Sequence, residues 1–271
     1  MKADLHCHST ASDGTLTPEE LIELAKQENL WGLSITDHDT MNAYKTAVNA
    51  AQKKGIRLGS GIEFSCEHKG HSIHILGYDF HLSDASMKDL CLRHQKRRMD
   101  RNLAILEKLE KRGFSIDREA LFCLASEKTI GRPHIADQML KRKYVSSIQE
   151  AFVKYLGEGK SCYVPGASFS VLETIDILHG AQGKVFLAHP QLLLKQISLS
   201  DILKLPFDGI ECFYSRFSHQ DAKPWLKIAK EKNWLVSGGS DFHGSIKPEI
   251  KLASSYIGKE EFEKIFQKPL T

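Results

Sequence analysis

Residues 4 to 8 read Asp4-Leu5-His6-Cys7-His8, at the end of a short strand-like run. Two histidines one residue apart point to the same face of a β-strand, because side chains alternate between faces along a strand. Both imidazole rings can therefore bind one metal ion, and imidazole is a common ligand of zinc and other transition metals. The stretch predicts a strand that ends in a metal site.

Further groups of metal-ligand residue types follow other apolar, strand-like stretches of the chain. They are Asp13, Thr36-Asp37-His38-Asp39, Gly61-Ile62-Glu63, His71-Ser72-Ile73-His74, Leu187-Ala188-His189-Pro190 and Ser240-Asp241-Phe242-His243. Side chains at the carboxyl ends of the parallel strands of an α/β barrel meet at one mouth. We therefore expect these histidines and carboxylates to form a single site.

Short apolar stretches alternate with helical patterns along most of the chain. The predicted strands are 33–36, 56–59, 72–76, 185–188, 209–213 and 234–237, and helices are predicted over 41–54, 171–182, 218–232 and 260–266. Thr17 is a predicted N-cap of another helix, since Pro18 follows at the first helical position and acidic residues fill the first turn. Repeated strand and helix units are typical of parallel α/β architecture.

The alternation stops between about residues 82 and 165, where the sequence contains no convincing strand. A long charged helix is predicted over 85–112, with Met99, Leu103 and Leu106 on its apolar stripe, and shorter helical segments follow. We therefore predict a helical insertion.

The insertion divides the chain into a discontinuous barrel domain, residues 1–81 and 166–271, and a helical insertion domain, residues 82–165. The first half of the long helix is the most basic part of the chain and contains Lys88, Arg93, Lys96, Arg97, Arg98 and Arg101. Runs of charge usually form solvated helix faces, which is what we expect here. Attraction of a phosphate group is the alternative.

Composition limits the class of protein. The chain has 271 residues, of which 41% are hydrophobic and 26% are charged, as is ordinary for a globular protein. Its formal net charge of +3 is too small to indicate a protein that binds nucleic acid through its overall positive charge. Its six cysteines contain no C-x-x-C pair, which favours reduced thiols over a zinc ribbon or a disulfide framework. The metal-ligand motifs begin at Asp4, and we expect neither a signal peptide nor a membrane span. A cytoplasmic enzyme is the expectation.

Together and in this order, the motifs resemble those of the polymerase and histidinol phosphatase (PHP) domain, a family of metal-dependent phosphoesterases related to the amidohydrolases. The stretches that carry the resemblance are Asp4-Leu5-His6-Cys7-His8-Ser9 with Ser12-Asp13-Gly14, Thr36-Asp37-His38-Asp39, Gly61-Ile62-Glu63-Phe64-Ser65, His189-Pro190 and Gly239-Ser240-Asp241-Phe242-His243-Gly244. The resemblance covers nearly the whole chain. It implies an α/β fold, a distorted seven-stranded (βα) barrel with a small inserted helical domain over its mouth.

The resemblance also implies a set of metal ligands. It assigns His6, His8, Glu63 and Asp241 to one divalent ion, Glu63 with His74 and His189 to a second, and Asp13, His38 and His243 to a third. Members of the family often place a histidine where Asp13 stands, so the third site is richer in oxygen and favours manganese or iron over zinc. We expect two or three ions of manganese, iron or zinc. Asp37 and Asp39 are predicted to orient His38 or to cap loops.

The insertion contains Gly131-Arg132-Pro133-His134-Ile135-Ala136, which is similar to the subgroup of 3',5'-nucleotide bisphosphate phosphatases and of 5'-to-3' exoribonucleases that act on short RNA. The expected reaction is hydrolysis of the 3'-phosphate of a nucleoside 3',5'-bisphosphate by a hydroxide held between two ions that Glu63 bridges. Arg132 is the candidate to bind a phosphate, and His134 is the candidate to donate to it or to protonate the leaving oxygen. An exposed arginine and a helix-capping histidine at the helix start predicted by Pro133 are the structural alternatives.

Other functions remain open on the sequence alone. The same residues suit a 5'-3' exoribonuclease acting on short 5'-phosphorylated RNA, or a phosphatase for a small metabolite such as histidinol phosphate. A metal-binding interaction domain without catalysis is a third possibility. The expected partners are a phosphorylated nucleotide or a short oligonucleotide, with no membrane and no obligate protein partner.

Overall fold

The computed structural model describes residues 1–123, 125, 128–165, 169–193 and 199–271. The strands are β1 (Lys2–Asp4), β2 (Gly32–Ser34), β3 (Arg57–Gly59), β4 (Gly61–His68), β5 (His71–Tyr78), β6 (Lys184–Leu187), β7 (Gly209–Tyr214), β8 (Leu235–Gly239) and β9 (Ile257–Gly258). The helices are α1 (Pro18–Gln27), α2 (Tyr44–Lys54), α3 (Ala85–Glu110), α4 (Arg118–Phe122), α5 (Arg132–Lys141), α6 (Ile148–Ala151), α7 (Val171–Gly180), α8 (Leu199–Ile202), α9 (His219–Lys232) and α10 (Lys259–Ile265). A π-helical turn, Phe152–Leu156, continues α6.

The described strands form two sheets. One has the order β3-β2-β1-β9, with β1, β2 and β3 parallel and β9 antiparallel to β1. The other has the order β4-β5-β6-β7-β8, with antiparallel pairing from β4 to β6 and parallel pairing from β6 to β8. The predicted α/β class is confirmed.

The two sheets are joined near the ends of β1, β2, β4 and β8 by backbone hydrogen bonds and isolated bridges. Cys7 forms a bridge with Phe242 next to β8, and His38, beyond β2, forms a bridge with Glu63 of β4. The N–H of Leu5 also donates to the Gly238 carbonyl at 3.2 Å. Within the described ranges these contacts are not continuous ladders, so a closed seven-stranded barrel is not confirmed.

The strand that carries Glu63 differs from the prediction. Glu63 does not follow a strand: it lies within β4, which pairs with β5 as an antiparallel hairpin and brings His74 to the same face. The apolar residues Ile62, Phe64 and Cys66 alternate with the polar ones along β4 and are buried. This period of two gives the strand one core face and one polar face, and the polar face carries the site.

The predicted helix start at Thr17 is confirmed. Its hydroxyl oxygen accepts from the N–H of Glu20 at 3.2 Å, and its own N–H donates to the Glu20 carboxylate at 2.7 Å. This reciprocal capping box satisfies two amide groups that the helix leaves without partners. α2 ends as predicted at Gly55, which adopts φ 68°. Glycine enters that left-handed region without a steric penalty.

The buried face of α3 also differs from the predicted stripe. Leu106 is buried as predicted, but Met99 and Leu103 are only partly so. The residues that face inward are Met87, Leu90, Cys91, His94, Asn102, Ile105, Leu106 and Leu109. Arg98 falls on this same face, one turn from both His94 and Asn102, and it therefore points into the molecule.

The described residues of 82–165 contain helices and no strand. A separate apolar cluster forms inside this region from α3, α5 and α6 and includes Ile105, Ile135 and Met139. The first turns of α3 instead pack with β4 and β5 through Met87 and Leu90. α3 thus belongs to both cores, and the division into two domains stays a prediction.

No helix in the part of the chain that the structure describes is both long enough and apolar enough to cross a bilayer.

Candidate metal centre

The carboxylate of Glu63 lies at the centre of the predicted site and is almost completely buried. Its Oε1 lies 2.7 Å from His74 Nδ1 and 3.1 Å from His189 Nε2. Its Oε2 lies 3.3 Å from His6 Nε2, 3.2 Å from His8 Nε2 and 3.2 Å from His38 Nδ1. The two oxygens thus face two different groups of imidazoles, as a carboxylate that bridges two ions would.

Asp241 completes the group around Oε2. Its Oδ1 lies 3.5 Å from His6 Nε2 and 3.3 Å from His8 Nε2. Its Oδ2 accepts from the Tyr214 hydroxyl at 2.8 Å and from Lys247 Nζ at 2.7 Å. These two donors fix the carboxylate so that Oδ1 faces the histidines.

A third group surrounds Asp13. Asp13 Oδ1 lies 3.7 Å from His8 Nδ1 and 3.5 Å from His243 Nε2, and Asp13 Oδ2 lies 3.9 Å from His38 Nε2. His243 donates from Nδ1 to the Asp241 carbonyl at 2.8 Å, which leaves the Nε2 lone pair directed at Asp13.

The structure brings all nine predicted ligands together. The ligand atoms of eight of them form three groups, each within 4.8 Å: His6, His8, Glu63 and Asp241; His8, Asp13, His38 and His243; and His38, Glu63 and His74. The ninth, His189, lies in none of these groups but contacts Glu63 Oε1. His38 is a member of two of these groups, so its assignment to one particular ion stays a prediction. The number of ions and their identity also stay predictions.

The spacing of these atoms fits divalent cations. Two donors that each lie about 2.0–2.2 Å from one ion are about 3.0–3.5 Å from each other, given ordinary coordination angles. The separations of 3.2–3.5 Å among His6, His8, Glu63 and Asp241 fall in that range. His6 Nε2, His8 Nε2 and His38 Nδ1 are also buried without a hydrogen-bond partner. Buried polar atoms of this kind cost free energy unless something binds them, and a cation would do so.

The model of the PHP domain family matches residues 4–167 of the sequence. The chain belongs to this family. Together with its relatives, the match shows a metal-dependent phosphoesterase, a hydrolase that acts on phosphoric esters.

Relatives with known names cover most of this PHP domain. It is 35% identical over 250 residues to a 5'-3' exoribonuclease of Haemophilus influenzae, covering 89% of this chain and 90% of the relative. It is 30% identical over 247 residues to the 3',5'-nucleoside bisphosphate phosphatase of Chromobacterium violaceum, covering 89% and 86%. A solved metal-dependent phosphoesterase from Bifidobacterium adolescentis has 30% identity and a TM-score of 0.89, covering 97% of this chain and 94% of that one.

Ionised carboxylates at the centre of the PHP domain favour binding of cations, whereas His6 and His8, whose pKa values are raised, would have to release a proton to bind a metal. Burial would raise the pKa of Glu63, but its interactions with the surrounding imidazoles, first those of His38 and His74, hold it well below its usual value, so the carboxylate stays ionised. Burial also opposes protonation of His8, but the carboxylates of Asp241 and Glu63 close to its Nε2 raise its pKa to about 9. Burial lowers the pKa of His38 to about 3, and burial with the nearby His8 lowers that of His243 to about 4. Neutral imidazoles and ionised carboxylates are the forms that bind metal.

Glu211 is a functional residue that the sequence analysis missed. It is completely buried in β7, where its Oε1 accepts from His6 Nδ1 at 2.9 Å and its Oε2 accepts from the N–H of His189 at 2.7 Å. It therefore holds the His6 proton on Nδ1 and leaves Nε2 free to bind a metal. A glutamate inside an apolar strand was the available signal, because glutamate is rarely buried without a partner.

Asp37 and Asp39 do not contact His38 through any described hydrogen bond or ion pair. Asp37 accepts from the N–H and hydroxyl of Ser9 at 2.7 and 2.5 Å and from the Ser12 hydroxyl at 2.5 Å, so it fixes the loop that carries Asp13. Of the two predicted roles, the loop cap is therefore the one observed for Asp37.

Asp39 connects the centre to α3. Its carboxylate lies 2.5 Å from Arg98 Nε and 3.1 Å from His94 Nδ1, and it accepts from the N–H of Ser65 at 3.2 Å. Arg98 also donates to the Ser65 hydroxyl at 3.0 Å. The prediction of a solvated basic face is wrong for this part of α3, since the side chains of Arg97 and Arg98 are only 11% and 12% exposed.

Arg101 and Arg132 lie together at the edge of the centre. Both guanidinium groups lie over the ring of Tyr163, at 5.5 and 5.7 Å from its centroid. Arg101 Nε donates to the Val164 carbonyl at 2.8 Å, and Arg132 donates to the Leu156 carbonyl at 3.2 Å. Among the described residues, neither has a carboxylate within 4.0 Å. Burial, with the charge of Arg132 next to it, lowers the pKa of Arg101 to about 10.

His134 follows the N-cap of α5 by three residues. Its Nδ1 accepts from the N–H of Gly131 at 3.1 Å, so the neutral ring carries its proton on Nε2. Burial lowers its pKa, against the opposing charge of Asp13. The predicted capping contact is therefore present, and Nε2 is still available as a donor. Arg132, which begins α5, is half-buried rather than exposed.

Proposed function

We propose that this PHP domain hydrolyses the 3'-phosphate of nucleoside 3',5'-bisphosphates, for example adenosine 3',5'-bisphosphate to AMP and phosphate. The observation that carries the proposal is the pair Arg101 and Arg132, two half-buried cations with no described carboxylate partner. The charge of Asp13, a candidate ligand, acts on Arg132. Two like charges of this kind repel each other, and a bound phosphate offsets the repulsion. A substrate with two phosphates can place one at the metal centre and one on the arginines.

The residues of the centre have distinct tasks in this reaction. Divalent ions bound there, two or three of manganese, iron or zinc, would neutralise charge on the phosphoryl group and activate water. Glu63 and Asp241 supply negative charge, and Glu211 keeps the Nε2 lone pair of His6 directed inward. Because the pKa of His134 is lowered, hydrogen bonding from Nε2–H to a phosphate oxygen suits this residue better than protonation of the leaving oxygen.

The proposal is tested by Arg132→Ala and Arg101→Ala in the manganese-loaded enzyme. Each change should raise KM for adenosine 3',5'-bisphosphate about tenfold or more, since a hydrogen bond to a charged group is lost. Hydrolysis of a simple aryl phosphate, which has no second phosphate, should change little. Arg142→Ala, at the other end of α5, is the matched control. Equal losses on both substrates would contradict a second phosphate site, as would equal wild-type rates on the bisphosphate and on AMP.

A second candidate function is 5'-3' exoribonuclease activity on short 5'-phosphorylated RNA. It is favoured by the 35% identity to an enzyme of that name. The same geometry serves both reactions, because the arginine pair would bind the 5'-phosphate and the centre would cut the 3'-phosphoester, whether a monoester or a diester. A ladder of shortened products from 5'-phosphorylated RNA, and little product from the 5'-hydroxyl form, would support it. A metabolite with one phosphate, such as histidinol phosphate, would leave the arginine pair without an anion and is disfavoured.

A further inference from the structure

Two adjoining cavities run along one face of α3. The larger, about 490 Å³, lies between α3 and the segment 40–45, and the smaller, about 280 Å³, lies between α3 and Phe122, Ala125 and residues 128–130. Leu92 and Gln95 line both cavities, so they form one continuous depression, here called the α3 groove.

The lining of the α3 groove is basic and apolar. Four lysines line it, namely Lys45, Lys88, Lys96 and Lys128. None of its described lining residues is acidic, and none of the four lysines has a carboxylate within 4.0 Å among the residues described. Lysines on other helices differ: Lys141, Lys154 and Lys264 each pair with an acid one turn away. Apolar surface separates the charges, and Leu92 in the middle is 64% exposed.

Both cavities of the α3 groove are lined by residues that contact, or are close in sequence to, segments that carry candidate ligands. Thr40, in its lining, follows His38 by two residues, and Gln95 donates from Nε2 to the Asp39 carbonyl at 3.3 Å. At the other end, the N–H of Thr129 donates to the Ala11 carbonyl at 2.8 Å. The segments that form the groove are therefore continuations of segments that carry the candidate ligands.

We propose that the α3 groove binds the part of a single-stranded RNA that lies 3' of the nucleotide being removed. The inference rests on the proposed function, because it assumes that the centre cuts a phosphoester next to a 5'-phosphorylated nucleotide. Single strands present both charged phosphates and flat bases, and lysines beside apolar and aromatic side chains match them. Lys88 and Lys96 are separated by about 12 Å along the helix, so they contact different phosphates. Phe122 and Leu92 offer surfaces for bases.

The test compares two substrates in the manganese-loaded full chain. The triple variant Lys45→Glu, Lys88→Glu, Lys96→Glu should reduce kcat/KM for a 5'-phosphorylated pentanucleotide about tenfold or more. Its kcat/KM for adenosine 3',5'-bisphosphate should stay within about twofold, since the bisphosphate does not reach the groove. Lys128 is left unchanged because its charge acts on His134. The control variant Lys53→Glu, Lys223→Glu, Lys230→Glu makes the same change in net charge at exposed positions on α2 and α9.

Salt dependence gives a second, independent measurement. For the pentanucleotide, log kcat/KM should fall with the logarithm of the salt concentration. Loss of three phosphate contacts should reduce the magnitude of this slope by about 2, because each contact with a single strand contributes about 0.7.

An unchanged slope and rate on the pentanucleotide would overturn the groove proposal, as would a loss of the same size in the control variant. A wild-type enzyme that cuts the pentanucleotide but not the bisphosphate would refute the proposed phosphatase function alone. Failure to cut RNA at all would refute the groove proposal and the exoribonuclease activity, and would leave the phosphatase function standing.

Discussion

Glu211 shows how a single carboxylate outside the ligand set can control the metal centre. Replacing it by glutamine keeps the shape but removes the charge that holds the proton of His6 on Nδ1. We expect Glu211→Gln to weaken manganese binding about 10- to 100-fold, because residues that orient a metal ligand contribute on that scale. Titration calorimetry of the metal-free protein measures the change directly.

The control for this substitution is Glu249→Gln, which changes an exposed carboxylate paired with Arg216 at 3.4 Å. It should leave manganese affinity unchanged. Wild-type affinity in Glu211→Gln would show that His6 is oriented without the buried charge.

At the residue scale, the sequence identified the ligand types but not the residues that support them. His6, His8 and the other seven candidates were recognisable because their spacing and position after apolar stretches carry information locally. Glu211 contacts His6 across 205 positions of sequence, and such a contact leaves no local pattern. The pairing of Arg101 with Arg132 was hidden for the same reason.

At the level of elements, α3 is attached to the strands through a buried ion pair. Asp39 is fully buried and binds Arg98 and His94 of this helix. Asp39→Asn should lower the free energy of unfolding by about 3 kcal/mol, because it leaves the Arg98 charge buried without compensation. Guanidinium unfolding of the metal-free protein provides the measurement.

Asp100→Asn, an exposed position on α3, serves as the comparison and should change the free energy of unfolding little. If Asp39→Asn proved as stable as Asp100→Asn, water or another carboxylate would have to compensate Arg98.

The elements that sequence analysis predicted well are those with local signals. The Thr17 capping box and the Gly55 terminus identify α1 and α2 through the chemistry of a few neighbouring residues. The inward face of α3 was misassigned because it includes polar residues, such as His94, that find partners on β4 and its neighbours only after folding. In the β4–β5 hairpin, β5 was predicted as the strand 72–76, but β4 was not, because its residues alternate in polarity and form no continuous apolar run.

For the whole molecule, the metal centre joins the two sheets. His6 and His8 follow β1 of one sheet, whereas Glu63 lies in β4 of the other, and their side chains meet within 3.3 Å. Bound ions would therefore add a crosslink to the backbone hydrogen bonds and isolated bridges that join the two sheets. Binding to the native state alone stabilises it, by about 2.7 kcal/mol at a ligand concentration 100 times Kd.

We accordingly expect EDTA to lower Tm by about 5–10 °C relative to the manganese-loaded protein. Differential scanning calorimetry with and without EDTA tests this. In Asp241→Asn, which weakens the donor set, the difference between the two conditions should shrink. A Tm that does not depend on metal would contradict binding at the junction of the sheets.

The hairpin that carries Glu63 also has an end that takes no part in the chemistry. Its turn, Lys69 and Gly70, is exposed, with φ values of 51° and 82°, and lies about 17 Å along β4 from Glu63. The ion pair of Lys69 with Asp201 is on the surface, where such pairs contribute at most about 1 kcal/mol. An epitope tag inserted between Lys69 and Gly70 would therefore lie at the far end of the strand from the central carboxylate, and it should leave access to the centre unobstructed.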